Sequence, residues 1–95
     1  MKLVTIIAEA FARDAILNLL HIVGAHGYTL SQVEGSGARG ERTAEMPELA
    51  NIRVEVVVPP DVSTALMGRL QAEFFPRYAM VVYETDIRVI RSEKF

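Results

Sequence analysis

Two stretches of helical periodicity, each set between short β-branched apolar runs, leave this chain few architectures to choose from. Residues 3–8 are short, apolar and β-branched, the mark of a buried strand. A helix over 12–23 follows, because Ile16, Leu19, Leu20 and Val23 recur along one face. Gly24 stands where such a helix needs a C-terminal cap, and Ala25-His26-Gly27 makes the turn. Residues 28–34 read as a second strand, with Tyr28, Leu30 and Gln32 on one side and Thr29, Ser31 and Val33 on the other. A third strand spans 52–58, where Arg53 and Glu55 alternate with apolar residues, and Pro59-Pro60 stops it. Asp61 is expected to cap a helix over 62–74 that buries Leu66, Met67, Leu70 and Phe74, with Pro76 beyond its end. Residues 78–83 read as a fourth strand, and 86–90 as a short tail strand or a continuation across a bulge. The order β-α-β-β-α-β is the split βαβ of a ferredoxin-like α+β sandwich. Its two crossing helices must pack on one face of the sheet, which leaves the other face bare.

That bare face bears on assembly. At 95 residues the chain is one domain, 1–95, near the small end of self-sufficient folds, yet 51% of it is hydrophobic. Val57 opposes Val54, Val56 and Val58 across the third strand, and Met80 to Val82 is continuously apolar. Strands apolar on both faces are buried on both faces, so the second face is expected to pack between subunits. The formal net charge of −2 lacks the basic excess of a nucleic-acid footprint, and nucleic acid is not an expected partner. With no cysteine there is no disulfide, no thiolate metal site and no thiol nucleophile. His21 and His26 alone make no transition-metal set. Phe74 and Phe75 read as core, and Glu9, Glu55 and Asp86 fall on different elements without forming a carboxylate pair. No catalytic triad stands out, and the chain is expected not to be an enzyme. No apolar run reaches the ~20 residues of a membrane span, so a cytoplasmic protein is expected.

The stretch 35–50 fits neither helix nor strand period, and an irregular segment of this length in so small a domain is usually functional or disordered. It opens with Gly35-Ser36-Gly37-Ala38-Arg39-Gly40-Glu41-Arg42. Glycines allow tight turns and close approach to a ligand, and successive backbone N–H groups there can form an anion-binding nest. Arg39 and Arg42 place two forked, permanently charged donors on one short arc, chemistry suited to phosphate or carboxylate. A solvated pair balanced by Glu34, Glu41 and Glu45 is the plainer reading of the same residues. On the tail strand, Arg88 and Arg91 would face opposite ways.

Taken with Gly24-Ala25-His26-Gly27-Tyr28-Thr29, Phe74-Phe75-Pro76-Arg77-Tyr78-Ala79 and Lys94-Phe95, the Gly/Arg block resembles the PII-like signalling proteins. Within them it is most similar to the carbon-regulatory branch, which holds the SbtB proteins of cyanobacteria and the carboxysome-associated CPII type. The resemblance covers almost the whole chain. It implies a homotrimer that binds adenine nucleotides in clefts between subunits, with 35–50 as a T-loop that contacts a target protein. Regulatory ligands would be ADP or AMP, with ATP or cyclic AMP as further members of the class, beside bicarbonate; no obligatory cofactor is implied. The implied target is a membrane bicarbonate or sulfate-type transporter or a carboxysome-linked component, which would place the protein peripherally at the inner membrane. For the nucleotide the resemblance implies Gly35, Gly37, Ala38, Arg39 and Arg42 around the phosphates, Arg91 as a C-terminal phosphate contact, and Tyr78, Ala79, Met80 and Tyr83 at the base. Arg39, Arg42, Arg53 and Lys94 are the candidates for bicarbonate or phosphate. Two departures stand out. Phe75-Pro76-Arg77-Tyr78 occupies the place of the glycine- and lysine-rich phosphate loop of nitrogen-type members, and the T-loop glutamine through which those members bind 2-oxoglutarate has no counterpart here. Separately, the chain lacks the cysteine pair of some SbtB tails. The same scaffold also serves acylphosphatases and CutA-like structural trimers, which remain the alternatives.

Overall fold

The computed structural model describes residues 1–34, 51–91 and 93 in full, and Ser36, Gly37, Gly40 and Glu41 by backbone alone. Strand β1 (Lys2–Glu9) leads through a 3-10 turn (Ala10–Ala12) into helix α1 (Arg13–Val23). Strand β2 (Thr29–Val33) is followed by the short β3 (Ser36–Gly37) and β4 (Gly40–Glu41), then β5 (Asn51–Val58). Helix α2 (Pro60–Arg69) runs on into a π turn (Leu70–Phe74), and β6 (Met80–Asp86) closes the fold. The main sheet has the order β2-β5-β1-β6 with every neighbouring pair antiparallel, the expected ferredoxin-like arrangement.

The alternation in β5 decides which side of the sheet is buried. Ile52, Val54, Val56 and Val58 face the helices and are buried, as are their β1 partners Ala8, Ile6, Val4 and neighbours on α1 and α2. Ile16, Leu19 and Leu20 close the core from α1, and Leu66, Leu70 and Phe74 from the second helix and its π turn. Gly24 ends α1 at φ 81, the left-handed cap position where a side chain is disfavoured. The opposite face carries Leu3, Thr5 and Ile7 from β1 beside Arg53, Glu55 and Val57 from β5. It also carries Val81 and Tyr83, which in the single chain are 58% and 46% exposed. The face is thus mixed, with Leu3, Ile7, Val57, Val81 and Tyr83 set beside Thr5, Arg53 and Glu55, where the sequence led us to expect a largely apolar one.

Four local expectations are corrected. Pro60 takes the first helical position, where its missing N–H costs nothing, so Pro59 precedes the helix and Asp61 lies inside the first turn instead of capping it. There is no tail strand over 86–90. The β1 strand begins at Lys2, whose partner is Asp86, so the residues that follow have no strand left to pair with beyond one bond from the Ile87 N–H to the Met1 carbonyl. Strand alternation therefore does not govern Arg88 and Arg91. Within the stretch read as irregular, Ser36 pairs with Glu41 and Gly37 with Gly40. Finally, Phe75 is 44% exposed: the π turn, closed by the Phe75 N–H to the Leu70 carbonyl at 3.0 Å, carries it past the buried stripe that ends at Phe74.

At the far end of the sheet, Lys2 donates to Asp86 and lies 3.7 Å from a Glu84 oxygen, while the buried Ser63 hydroxyl donates to Glu84 from α2. The hydrogen bond from Lys2, and then its charge, hold the Asp86 carboxyl below the ordinary value. The same bond raises the Lys2 ammonium. Asp86 therefore adds stability above its unfolded pKa of about 3.9, and that contribution is lost as pH falls through the lower folded value. Lys2 adds stability below about 10.4 that is lost as pH rises through its raised folded value. The urea midpoint of wild type should accordingly exceed that of Asp86→Asn at neutral pH. The gap should narrow as pH falls below the unfolded value and through the lowered folded pKa of Asp86; a gap that does not change with acidification would assign it to something other than this ion pair.

Candidate functional site

Three chain connections leave the sheet at one end. The last rung between β2 and β5 joins Val33 to Asn51, so residues 34–50 depart there. The last rung between β1 and β5 joins Glu9 to Asn51, and the last between β1 and β6 joins Ala8 to Met80. The Gly/Arg segment, the 3-10 turn and the approach to β6 are thus rooted at the same end of the sheet, with β5 and β1 between the first and the last. Sequence separation hides this: Glu9 and Ala79 are 70 residues apart, yet the Ala79 N–H donates to Glu9 Oε1 at 3.0 Å.

The approach to β6 is built on aromatic packing. The half-buried Tyr78 ring lies 5.6 Å from Phe11 and 5.5 Å from Phe74, centroid to centroid, in tilted pairs. The exposed Arg77 guanidinium stands 5.7 Å from the Tyr78 ring centre. Both the Arg77 and Tyr78 N–H groups donate to the Phe74 carbonyl, at 2.9 and 2.8 Å. Tyr78 and Ala79 therefore precede β6 instead of lying in it, and the ring of Tyr78 is committed to packing.

The structure brings Tyr78, Ala79 and Met80 to the end where 34–50 is rooted. It sets other predicted residues apart. Met80 pairs with Ala8 and faces the helices, whereas Tyr83 pairs with Thr5 and projects from the open face. Arg53 is exposed on that open face, with its Nε 4.0 Å from Glu55 Oε1. Arg91 comes after the opposite end of β6, in a turn, with its Nε 3.9 Å from Glu93 Oε1. Gly37 is placed by its backbone pairing with Gly40. Gly35, Ala38, Arg39, Arg42 and Lys94 lie outside the described residues. The sequence reading missed two groups at this end, Glu9 and Arg77. Arg77 could have been noticed as the one cation between Pro76 and β6; nothing in the spacing pointed to Glu9. Among the described residues no group of His, Asp or Glu could hold a metal ion, and no helix there is long and apolar enough to cross a membrane.

A four-stranded antiparallel sheet of order β2-β5-β1-β6 backed by two helices, with a long insertion between β2 and β5, defines a ferredoxin-like domain. The family model for nitrogen regulatory protein P-II matches residues 1–94, and the chain belongs to that family. Solved structures agree. The chain is 39% identical to a PII-like signalling protein of Thermus thermophilus, with a TM-score of 0.87, over 99% of this chain and 93% of that one. It is 30% identical to CPII, a nitrogen regulatory PII-like protein of Thiomonas intermedia, solved bound to ADP, AMP and bicarbonate. There the TM-score is 0.90, over 99% of this chain and 92% of that one. The same CPII has been solved with ADP, AMP and acetate, at a TM-score of 0.83 and 29% identity over 99% of this chain and 92% of that one.

Proposed function

We propose that this chain is a regulatory binding protein, not an enzyme: a homotrimer that takes an adenine nucleotide of the AMP or ADP class between subunits, with bicarbonate beside the phosphates. It reports inorganic-carbon status through the segment 35–50 to a bicarbonate transporter or a carboxysome-linked component. The observation that carries this reading is the likeness to CPII bound to ADP, AMP and bicarbonate over nearly the whole chain. Two features of the chain support it. The Gly/Arg block follows β2 in the segment rooted at the same end of the sheet as Ala79 and Met80. The open sheet face carries Val81 and Tyr83 where a neighbouring subunit would cover them. A signal of this kind needs a ligand that prefers one state of the loop, because only differential affinity shifts a population.

The test is calorimetric titration of the purified protein with AMP, ADP, ATP and cyclic AMP, each with and without bicarbonate. The expected result is ADP or AMP binding with Kd of order micromolar, about −8 kcal/mol, and an affinity that bicarbonate changes. Absence of binding to every nucleotide, with the trimer intact, would overturn the sensor reading and leave a structural trimer.

A further inference from the structure

We propose that Glu9 is a positioning residue, whose carboxylate fixes the Ala79 N–H and with it the backbone that leads into β6; its part in ligand binding rests on the nucleotide reading above. The register shows why a side chain is needed here. The β1–β6 ladder stops at Ala8 and Met80, so the next rung would face Glu9 with Ala79. At Glu9 the β1 backbone turns off into the 3-10 turn Ala10–Ala12 and the ladder ends. The Ala79 N–H would then be left without its strand partner at a half-buried position, an arrangement that costs free energy. The Glu9 side chain supplies the acceptor instead, at 3.0 Å.

The rest of the connection is anchored differently. The N–H groups of Arg77 and Tyr78 are held by the Phe74 carbonyl, and the Tyr78 ring is wedged between Phe11 and Phe74. Of three consecutive N–H groups, only that of Ala79 depends on a side chain, and a side chain can be changed without breaking the backbone. Glu9 is also the residue whose backbone pairs with Asn51, the first residue of β5 after the Gly/Arg segment. One residue thus links the return of that segment to the start of β6. Hydrogen bonds from N–H to an ionised acceptor are the stronger kind, which suits a group that must hold a loop to within a fraction of an ångström.

The experiment compares wild type, Glu9→Ala and Glu9→Gln by amide hydrogen exchange and by calorimetric titration with ADP. Loss of the acceptor should speed exchange at Ala79 by about tenfold or more while the amides of Leu3 to Ile7 stay as slow as in wild type. In Glu9→Ala the Kd for ADP should rise about tenfold. Glu9→Gln keeps a carbonyl oxygen at the same place and should restore most of both. Unchanged exchange at Ala79 in Glu9→Ala would overturn the positioning role outright. Faster exchange with unchanged ADP affinity would overturn its part in binding. Tighter ADP binding in both variants would show that Glu9 acts only as a repelling charge, which also overturns the proposal. Wild type that binds no ADP would instead sink the nucleotide reading, and the Ala79 exchange would still decide what Glu9 does.

Discussion

Replacing Arg42 with alanine should weaken ADP binding by about 1.5–3 kcal/mol, the scale of a hydrogen bond to a charged group, which is roughly ten- to a hundredfold in Kd. The reasoning starts from the side chain. A guanidinium presents a rigid planar fork and keeps its charge at any working pH, so it can hold two phosphate oxygens at once. Arg42→Lys retains the charge but not the fork and should recover only part of the affinity. Arg39→Ala should behave alike if the two arginines work on one anion. Thermal unfolding without nucleotide should not move with any of these changes, because the role assigned to both arginines is to hold the ligand. Affinity that stays at the wild-type value in calorimetry would return Arg42 to the reading of a solvated loop charge.

Much of the scaffold could be read before the structure because its signals are local. The alternation of Ile52, Val54, Val56 and Val58 with Arg53 and Glu55 names the buried side of β5 by itself, and Gly24 marks the end of α1. The errors have two sources, a distant strand partner and local backbone geometry that side-chain chemistry does not show. A run such as 86–90 looks extended, but whether it is a strand depends on where β1 begins. Asp61 has the chemistry of a cap, yet the proline before it already starts the helix. Phe75 reads as core beside Phe74, but the π turn carries it past the buried stripe. The site was legible in part. Residues 78–80 lie at the end of the sheet from which the Gly/Arg segment departs, a placement that depends on strand register and not on any local signal. Tyr83 points from the open face while Met80 faces the helices, which follows from strand alternation once the register is known. Glu9 could not be seen at all, since its acceptor role exists only when a backbone group 70 residues away is brought to it.

Ile6→Ala should remove about 2–5 kcal/mol of folding stability, the scale for truncating a fully buried isoleucine. Ile6 is fully buried at the middle of the central strand, opposite Val54 on one side and Val82 on the other. Removing its side chain leaves a cavity that two paired strands, held by their ladders, cannot close. A domain of this size has only about 5–15 kcal/mol in reserve, so the change should consume a large share of it. In urea the midpoint should fall while the slope stays constant, because the surface exposed on unfolding is nearly the same. Truncation on the other face has a different dependence. Val81→Ala removes a side chain that is 58% exposed in the single chain. If a neighbouring subunit covers that face, its cost should grow with protein concentration as the assembled state does, whereas a side chain left in water should cost little at any concentration. Measuring the two variants across a concentration series therefore separates the core that each subunit makes for itself from the core that subunits make together. A wild-type midpoint independent of concentration, with Val81→Ala nearly neutral, would mean that the open face stays in water.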